Sequence, residues 1–357
     1  MPSPITVVLA DDSALMRREI KNILSSDREL RVIGCARHGQ DAVEMVKQLQ
    51  PDVVTMDINM PVMDGITALQ IIMMESPRPV VMLSSLTQAG AMTTFECLEL
   101  GAVDYIPKPS GTISTDIATQ SAEIIAKVKQ AARARPGRRL RTRAAAAPVA
   151  LKRSNLPVGG GAAGRVVAIG VSTGGPKTLL EVVPRLPADL DAAVVIVQHM
   201  PEAFTGPFAQ RIDASSALRV KEAEAGDVLM PGCGYLARGG KHMTFSKPSA
   251  ARGAMVRMVS QPSDLPHIPA VDVMMSSAVA AFGEHVIGVL LTGMGDDGAD
   301  AMVEIRRAGG RTIAEHESTC VVYGMPCQAV ARGGAEFVLP CYEIADKIVE
   351  LLAGCPV

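Results

Sequence analysis

The chain has 357 residues, 48% of them hydrophobic and 20% charged, with a formal net charge of −2. That length allows two domains with sizeable cores, and the near-neutral charge gives no basic field to draw it to nucleic acid or an anionic membrane. Aromatic residues make up 3% and Trp is absent, which leaves little for a base-stacking surface, and no apolar run is long enough to span a bilayer. The N-terminus lacks the pattern of a signal peptide, and the seven cysteines are scattered with no C-x-x-C, as suits reduced thiols. A cytoplasmic protein that neither binds nucleic acid nor inserts into a membrane is expected.

In chain order, the first 130 residues alternate short apolar runs with amphipathic stretches. The predicted strands are Ile5–Ala10, 30–35, 52–56, 79–83 and 102–107, with helices over 14–24, 41–49 and 65–74. Strand-helix units of this length predict an α/β domain with a doubly wound parallel sheet. Polar groups follow the strands: Asp11 and Asp12 the first, Asp57 the third, Ser84 the fourth and Lys108 the fifth. On a parallel sheet these strand ends converge. Three carboxylates at one spot repel without a cation, and oxygen-only ligands suit Mg²⁺. A lysine and a hydroxyl opposite could bind the oxygens of a phosphoryl group on Asp57. A single strand-end Asp would read as a helix cap; five suitable groups at these ends argue for the cation site.

With "DD", "MDINMPVMDG", a following Ser and "KP", residues 4–125 resemble a response-regulator receiver domain, which implies a flavodoxin-like fold. The resemblance makes Asp57 the phosphoacceptor, with an upstream chemotaxis histidine kinase as phosphodonor. It makes Asp11, Asp12, Asp57 and the Asn59 carbonyl the Mg²⁺ ligands. It gives Ser84, Lys108 and Tyr105 to the switch, although Tyr105 also reads as an ordinary half-buried strand residue.

Residues 126–164 are expected to form a flexible Arg/Ala/Gly-rich linker, since no apolar periodicity is sustained in "ARARPGRRLRTRAAAAPVALKRSNLPVGGGAAG". A second α/β domain is predicted over 165–354, with strands at "RVVAIGVS", "AAVVIVQHM" and "EHVIGVLLTGMG", and with turns and short strands over 226–245. Its first strand runs into the Gly-x-Ser-x-Gly match around Ser172, in the strand-turn-helix context of a nucleophile elbow. An N-cap serine or a phosphate-cradling glycine loop has the same appearance. His199 ends the second strand, and Asp296 and Asp297 follow the third. Ser, His and Asp at three strand ends permit nucleophilic catalysis. The other five histidines lack metal-ligand spacing and read as surface or structural residues, and the twenty methionines as core filler.

"GVSTGG", "QHMP", "LLTGMGDDG" and "CVVYGMPCQAV" together resemble the catalytic domain of chemotaxis protein-glutamate methylesterases, and the receiver-first order fits that family. The resemblance implies a Rossmann-like three-layer domain. It implies a phosphorylation-regulated serine hydrolase that demethylates glutamate γ-methyl esters, and deamidates glutamines, on methyl-accepting chemoreceptors, releasing methanol or ammonia. Ser172 is then the nucleophile, His199 the base and Asp297 the triad carboxylate. The Thr173 and Met294 backbone N–H groups are candidate oxyanion donors. Mg²⁺ serves phosphorylation alone, and hydrolysis needs no cofactor.

Overall fold

The computed structural model describes residues 3–85, 87–108, 117–134, 161–247 and 253–354. They divide into two units, one up to Arg139 and one from Leu140.

The first unit runs β1 (Ile5–Ala10), α1 (Ala14–Ser25), β2 (Leu30–Ala36), α2 (Gly39–Leu49), β3 (Val53–Asp57), α3 (Gly65–Glu75), β4 (Val80–Ser84), α4 (Gln88–Leu100), β5 (Asp104–Pro107) and α5 (Ile117–Arg133). The strands form one parallel sheet in the order β2-β1-β3-β4-β5. The chain therefore reverses its direction of winding between β1 and β3, the crevice where ligands collect in such sheets. Val7, Val8 and Leu9 of β1, and Val53, Val54 and Met56 of β3, are fully buried because helices cover both faces. Side chains close the helix starts. Ser13, Asp64 and Thr87 accept the N–H groups of Met16, Thr67 and Gly90. A side chain at Gly65 could not fit, since its Cβ would lie 2.0 Å from the Asp57 carbonyl.

Helix α5 passes beyond residue 125. Val128 and Ala131 are wholly buried and continue the apolar face begun at Ile124. Residues 126–133 thus extend the first unit's last helix instead of opening a linker. Of the rest of the expected linker, residues 135–160 lie outside the described residues, whereas 161–164 are described and Ala163 is buried in the second unit, its N–H donating to the Leu229 carbonyl at 2.8 Å.

The second unit runs β6 (Val166–Val171), α6 (Gly175–Val182), β7 (Ala193–Gln198), α7 (Glu202–Ser215), β8 (Arg219–Glu222), β9 (Cys233–Leu236), β10 (His242–Phe245), β11 (Val256–Val259), α8 (Val271–Phe282), β12 (Val286–Leu290), α9 (Ala299–Arg307), β13 (Arg311–Glu315), α10 (Met325–Ala331), β14 (Phe337–Leu339) and α11 (Cys341–Ala353). Seven strands form a parallel sheet in the order β14-β13-β12-β6-β7-β9-β8, and β10 and β11 pair as an antiparallel ribbon. Here the winding reverses between β6 and β12. Register brings three strand ends level. Val171 of β6 pairs with Gln198 of β7, and Gly170 pairs with Leu290 of β12. The loops that follow β6, β7 and β12 therefore leave the sheet side by side, on strands about 4.8 Å apart. Met274, Met275, Met302 and Met325 are fully buried in the core of this unit, as filler.

Candidate functional sites

In the first unit, Asp11, Asp12 and Asp57 each offer a carboxylate oxygen, and these atoms lie within 4.8 Å of one another. Asp11 and Asp57 are buried while Asp12 is exposed. Lys108 Nζ stands 2.8 Å from Asp57 Oδ2 and 3.0 Å from Asp11 Oδ2. Burial, only partly offset by Lys108, raises the pKa of Asp57, and the charge on Asp11 raises it further. Burial alone would lower Lys108, but Asp57 and Asp11 outweigh it and hold it above its ordinary value. One lysine facing three carboxylates leaves negative charge unbalanced, and the donors are all oxygen, so the set fits Mg²⁺. A pocket of about 310 Å³ opens here, lined by Asp12, Asp57, Asn59, Ser85, Thr87 and Lys108 among others.

Ser84 and Tyr105 are placed less directly. Ser84 ends β4, but its hydroxyl accepts from Thr94 Oγ1 of α4 at 2.7 Å, and its neighbour Ser85 lines the pocket. Its carbonyl accepts the Lys108 N–H at 2.7 Å, which ties the lysine's loop to β4. Tyr105 is 2% exposed, not half-buried, because it points into the cover formed by α5. Lys127 Nζ of that helix lies 4.9 Å from the centre of its ring.

In the second unit, Ser172 follows β6 in a turn closed by the Gly175 N–H on the Ser172 carbonyl at 2.8 Å. Gly174 takes φ +78 and starts α6 with no side-chain cap. The serine is thus no N-cap of α6. Its own N–H donates to the Thr292 carbonyl after β12 at 3.0 Å. Gln198 secures the turn from the other side, donating from Nε2 to the Ser172 and His199 carbonyls, each at 3.0 Å.

His199 Nε2 lies 2.8 Å from Asp297 Oδ2, and the imidazole is 5% exposed. Asp297 also receives the N–H groups of Val271 at 2.7 Å and Asp272 at 2.9 Å, the first two of α8. These are donors without a partner inside their own helix, and the helix dipole adds to their effect. Burial works to raise the pKa of Asp297, but His199 and these two N–H groups outweigh it and hold it below the usual value. An ionised Asp297 only accepts, so the neutral imidazole of His199 keeps its proton on Nε2 and leaves the lone pair on Nδ1. Nδ1 is buried and bonded to nothing among the described residues.

The support is reciprocal. Asp297, just before α9, caps α8, while Asp272 on α8 accepts the Ala301 N–H of α9 at 2.9 Å. Burial raises the pKa of Asp272 to about 6. Asp296 has another role. It is exposed and pairs with Arg332, away from the imidazole. Gly293 must be glycine, since its Cβ would stand 2.8 Å from Ser172 Cβ, and this close approach brings the Met294 loop to Ser172.

Three residues join the site that sequence reasoning did not assign to it. Asp272 opens the stretch "DVMMSS", where the sequence places no strand end and no chemical motif. Gln198 immediately precedes His199. His267, read as a surface or structural residue, stacks on the His199 ring with centroids 4.2 Å apart and planes 24° apart. Its loop crosses a strand-end rim far away in sequence, so no local pattern signals it.

Family models match over both units: a response regulator receiver domain over residues 7–116 and a CheB methylesterase over residues 167–348. A protein-glutamate methylesterase/protein-glutamine glutaminase 2 of Carboxydothermus hydrogenoformans is 51% identical over 98% of this chain and 99% of its own length. One from Caldanaerobacter subterraneus is 49% identical, covering 98% and 97%. The crystal structure of the Thermotoga maritima CheB methylesterase catalytic domain aligns at TM-score 0.51 and 40% identity, covering 52% of this chain and 98% of that one. With this identity sustained over both units, the chain belongs to the protein-glutamate methylesterase/protein-glutamine glutaminase family.

Proposed function

We propose that the chain is a phosphorylation-regulated serine hydrolase that removes methyl groups from γ-glutamyl methyl esters on chemoreceptor helices, and ammonia from glutamines at such positions. The reading is carried by Ser172, His199 and Asp297 leaving three level strand ends, with His199 Nε2 held on Asp297 at 2.8 Å.

Ser172 Oγ attacks the ester carbonyl and passes its proton to His199 Nδ1. The imidazolium that forms is stabilised by Asp297, which also fixes the ring's tautomer. The Thr173 and Met294 N–H groups serve the developing oxyanion. Nδ1 returns the proton to the departing methoxide, giving methanol and a glutamyl ester on Ser172. Water, deprotonated by Nδ1, cleaves that ester to free glutamate. The hydrogen bond from Ser172 Oγ to Nδ1 forms as substrate excludes water, since catalytic hydrogen bonds often close only in the substrate complex.

In the first unit, Asp57 accepts a phosphoryl group from a histidine kinase. Asp11, Asp12 and Asp57, with the Asn59 carbonyl, would hold Mg²⁺, which neutralises phosphoryl oxygens when bound. Lys108 then turns from the carboxylates to the phosphoryl group. Ser84 exchanges its bond with Thr94 for the same partner, and Tyr105 follows the movement of the β4–α4 loop.

The test is mass spectrometry of methylated receptor incubated with wild type or Ser172→Ala. Loss of the methyl mass with wild type and its retention with Ser172→Ala is expected. Demethylation by Ser172→Ala at the wild-type rate refutes the mechanism.

A further inference from the structure

Behind the nucleophile turn lies a carboxyl group that the mechanism does not use. Glu315 ends β13 and is completely buried. Its Oε2 accepts the Thr292 N–H at 2.8 Å, and its Oε1 accepts from Thr319 Oγ1 at 2.8 Å. No cation pairs with it among the described residues. A buried carboxyl group without a countercharge is costly, and nothing in the local fold of β13 requires one.

Its partner, Thr292, is the junction of the reaction centre. The Thr292 carbonyl accepts the Ser172 N–H at 3.0 Å. The Thr292 hydroxyl donates to the Thr173 carbonyl at 3.0 Å and accepts the Val322 N–H at 3.0 Å. The next residue, Gly293, donates to the Val322 carbonyl and precedes Met294. One residue thus holds both halves of the candidate oxyanion site, and Glu315 holds that residue by its N–H.

We propose that Glu315 is a positioning residue for ester hydrolysis, acting through Thr292 to keep the Ser172–Thr173 turn aligned with the Gly293–Met294 loop. This rests on the reading of Ser172 as nucleophile. The titratable groups packed around Glu315 are Cys320, from the segment after β13, and Cys341, from α11; Glu317 and Glu181 act on those thiols from farther off. None of them is cationic. Burial accordingly pushes Glu315 up to about 7. In the neutral form it still accepts the Thr292 N–H. When ionised, it puts an uncompensated negative charge behind the loop where the oxyanion forms, and opposes it.

The experiment measures methanol release by the full chain from a receptor-helix peptide bearing γ-glutamyl methyl esters, across pH 6–9. Glu315→Leu keeps the side chain's size and removes the acceptor. It should lower kcat by roughly 10- to 100-fold with KM little changed, the cost of a slightly misplaced reaction centre. Glu315→Gln keeps an acceptor and should hold kcat within about threefold of wild type. Wild-type kcat should decline above neutral pH as Glu315 ionises, and Glu315→Gln should lose that decline. Thr292→Val, which cuts the hydroxyl link to Thr173, should lower kcat independently if Glu315→Leu does not fold. Wild-type kcat in Glu315→Leu or in Thr292→Val overturns the proposal, as does an unchanged alkaline decline in Glu315→Gln. Activity in Ser172→Ala, measured alongside, instead overturns the reading on which the proposal rests.

Discussion

Replacing Asp297 separates its two tasks. In Asp297→Ala, His199 Nε2 and the Val271 and Asp272 N–H groups all lose their acceptor. Loss of a helix cap costs about 1 kcal/mol, and each buried donor left unsatisfied costs roughly 1–3 kcal/mol, reduced where water enters the gap. Asp297 is 19% exposed, so water reaches part of it, and a total of about 2–4 kcal/mol is expected. For a unit of this size that lowers Tm by about 5–15 °C. In Asp297→Asn, the amide oxygen still accepts from α8, and the stability loss should shrink to about 1 kcal/mol. Activity should not recover, because the amide N–H₂ group faces Nε2 and imposes the wrong tautomer on the ring, a defect of about 10⁴ in kcat. The assay pairs calorimetry with methanol release for Asp297→Asn, Asp297→Ala and Asp296→Asn. Asp296→Asn breaks an exposed pair with Arg332, worth less than about 1 kcal/mol, and should stay active. If Asp297→Asn kept a tenth of wild-type kcat, or Asp296→Asn lost as much as it did, the assigned carboxylate would be wrong.

Two further outcomes follow from the buried carboxyl groups. Mg²⁺ at about a hundred times its Kd should stabilise the first unit by about 2.7 kcal/mol, read as a rise in its thermal transition. Asp57→Asn should lose most of that rise and all acyl-phosphate formation from acetyl phosphate; an undiminished rise in this variant would place the cation elsewhere. Burial pushes Glu315 up to about 7 from its ordinary value of 4.5, so its stability contribution is complete below about pH 4.5 and is lost as pH rises through 7. Glu315→Gln should therefore match wild type near pH 4.5 and exceed it above pH 7.5 by up to about 3 kcal/mol in urea unfolding; equal stability at pH 8 would show that the carboxyl group is not held neutral by burial.

The residues readable in the sequence are those whose position depends on strand order alone. Asp11, Asp57, Lys108, Ser172, His199 and Asp297 each stand within a few residues of the end of an apolar run, and a parallel sheet brings such ends together whatever the loops do. The strands β8, β13 and β14 gave no such signal. They have three to five residues, and β8 reads Arg-Val-Lys-Glu, alternating exposed and buried positions too briefly to stand out from a loop. Missing β13 also hid Glu315, whose "TIAEHES" context shows nothing of its complete burial. The choice between Asp296 and Asp297 turns on a single backbone step. Gly298 at φ +92 turns the chain so that Asp297 faces α8 and Asp296 faces Arg332.

The two units treat negative charge at strand ends in opposite ways. In the first, Asp11 and Asp57 share one lysine, and burial raises Asp57 beyond what that lysine offsets. Such a cluster is held short of neutrality, and its energy falls when a cation arrives or, on the proposed reading, when Asp57 becomes an acyl phosphate that draws Lys108 to itself. The site is therefore responsive to ligands by construction. In the second unit three carboxyl groups near the strand ends are anchored by backbone N–H groups instead: Asp297 by Val271 and Asp272, Asp272 by Ala301, Glu315 by Thr292. Backbone donors cannot turn away to a new partner without unwinding a helix start or a strand end. This geometry suits a triad, whose imidazole must keep one tautomer and one orientation through both halves of a hydrolysis, whereas a movable lysine suits a switch that must exist in two states.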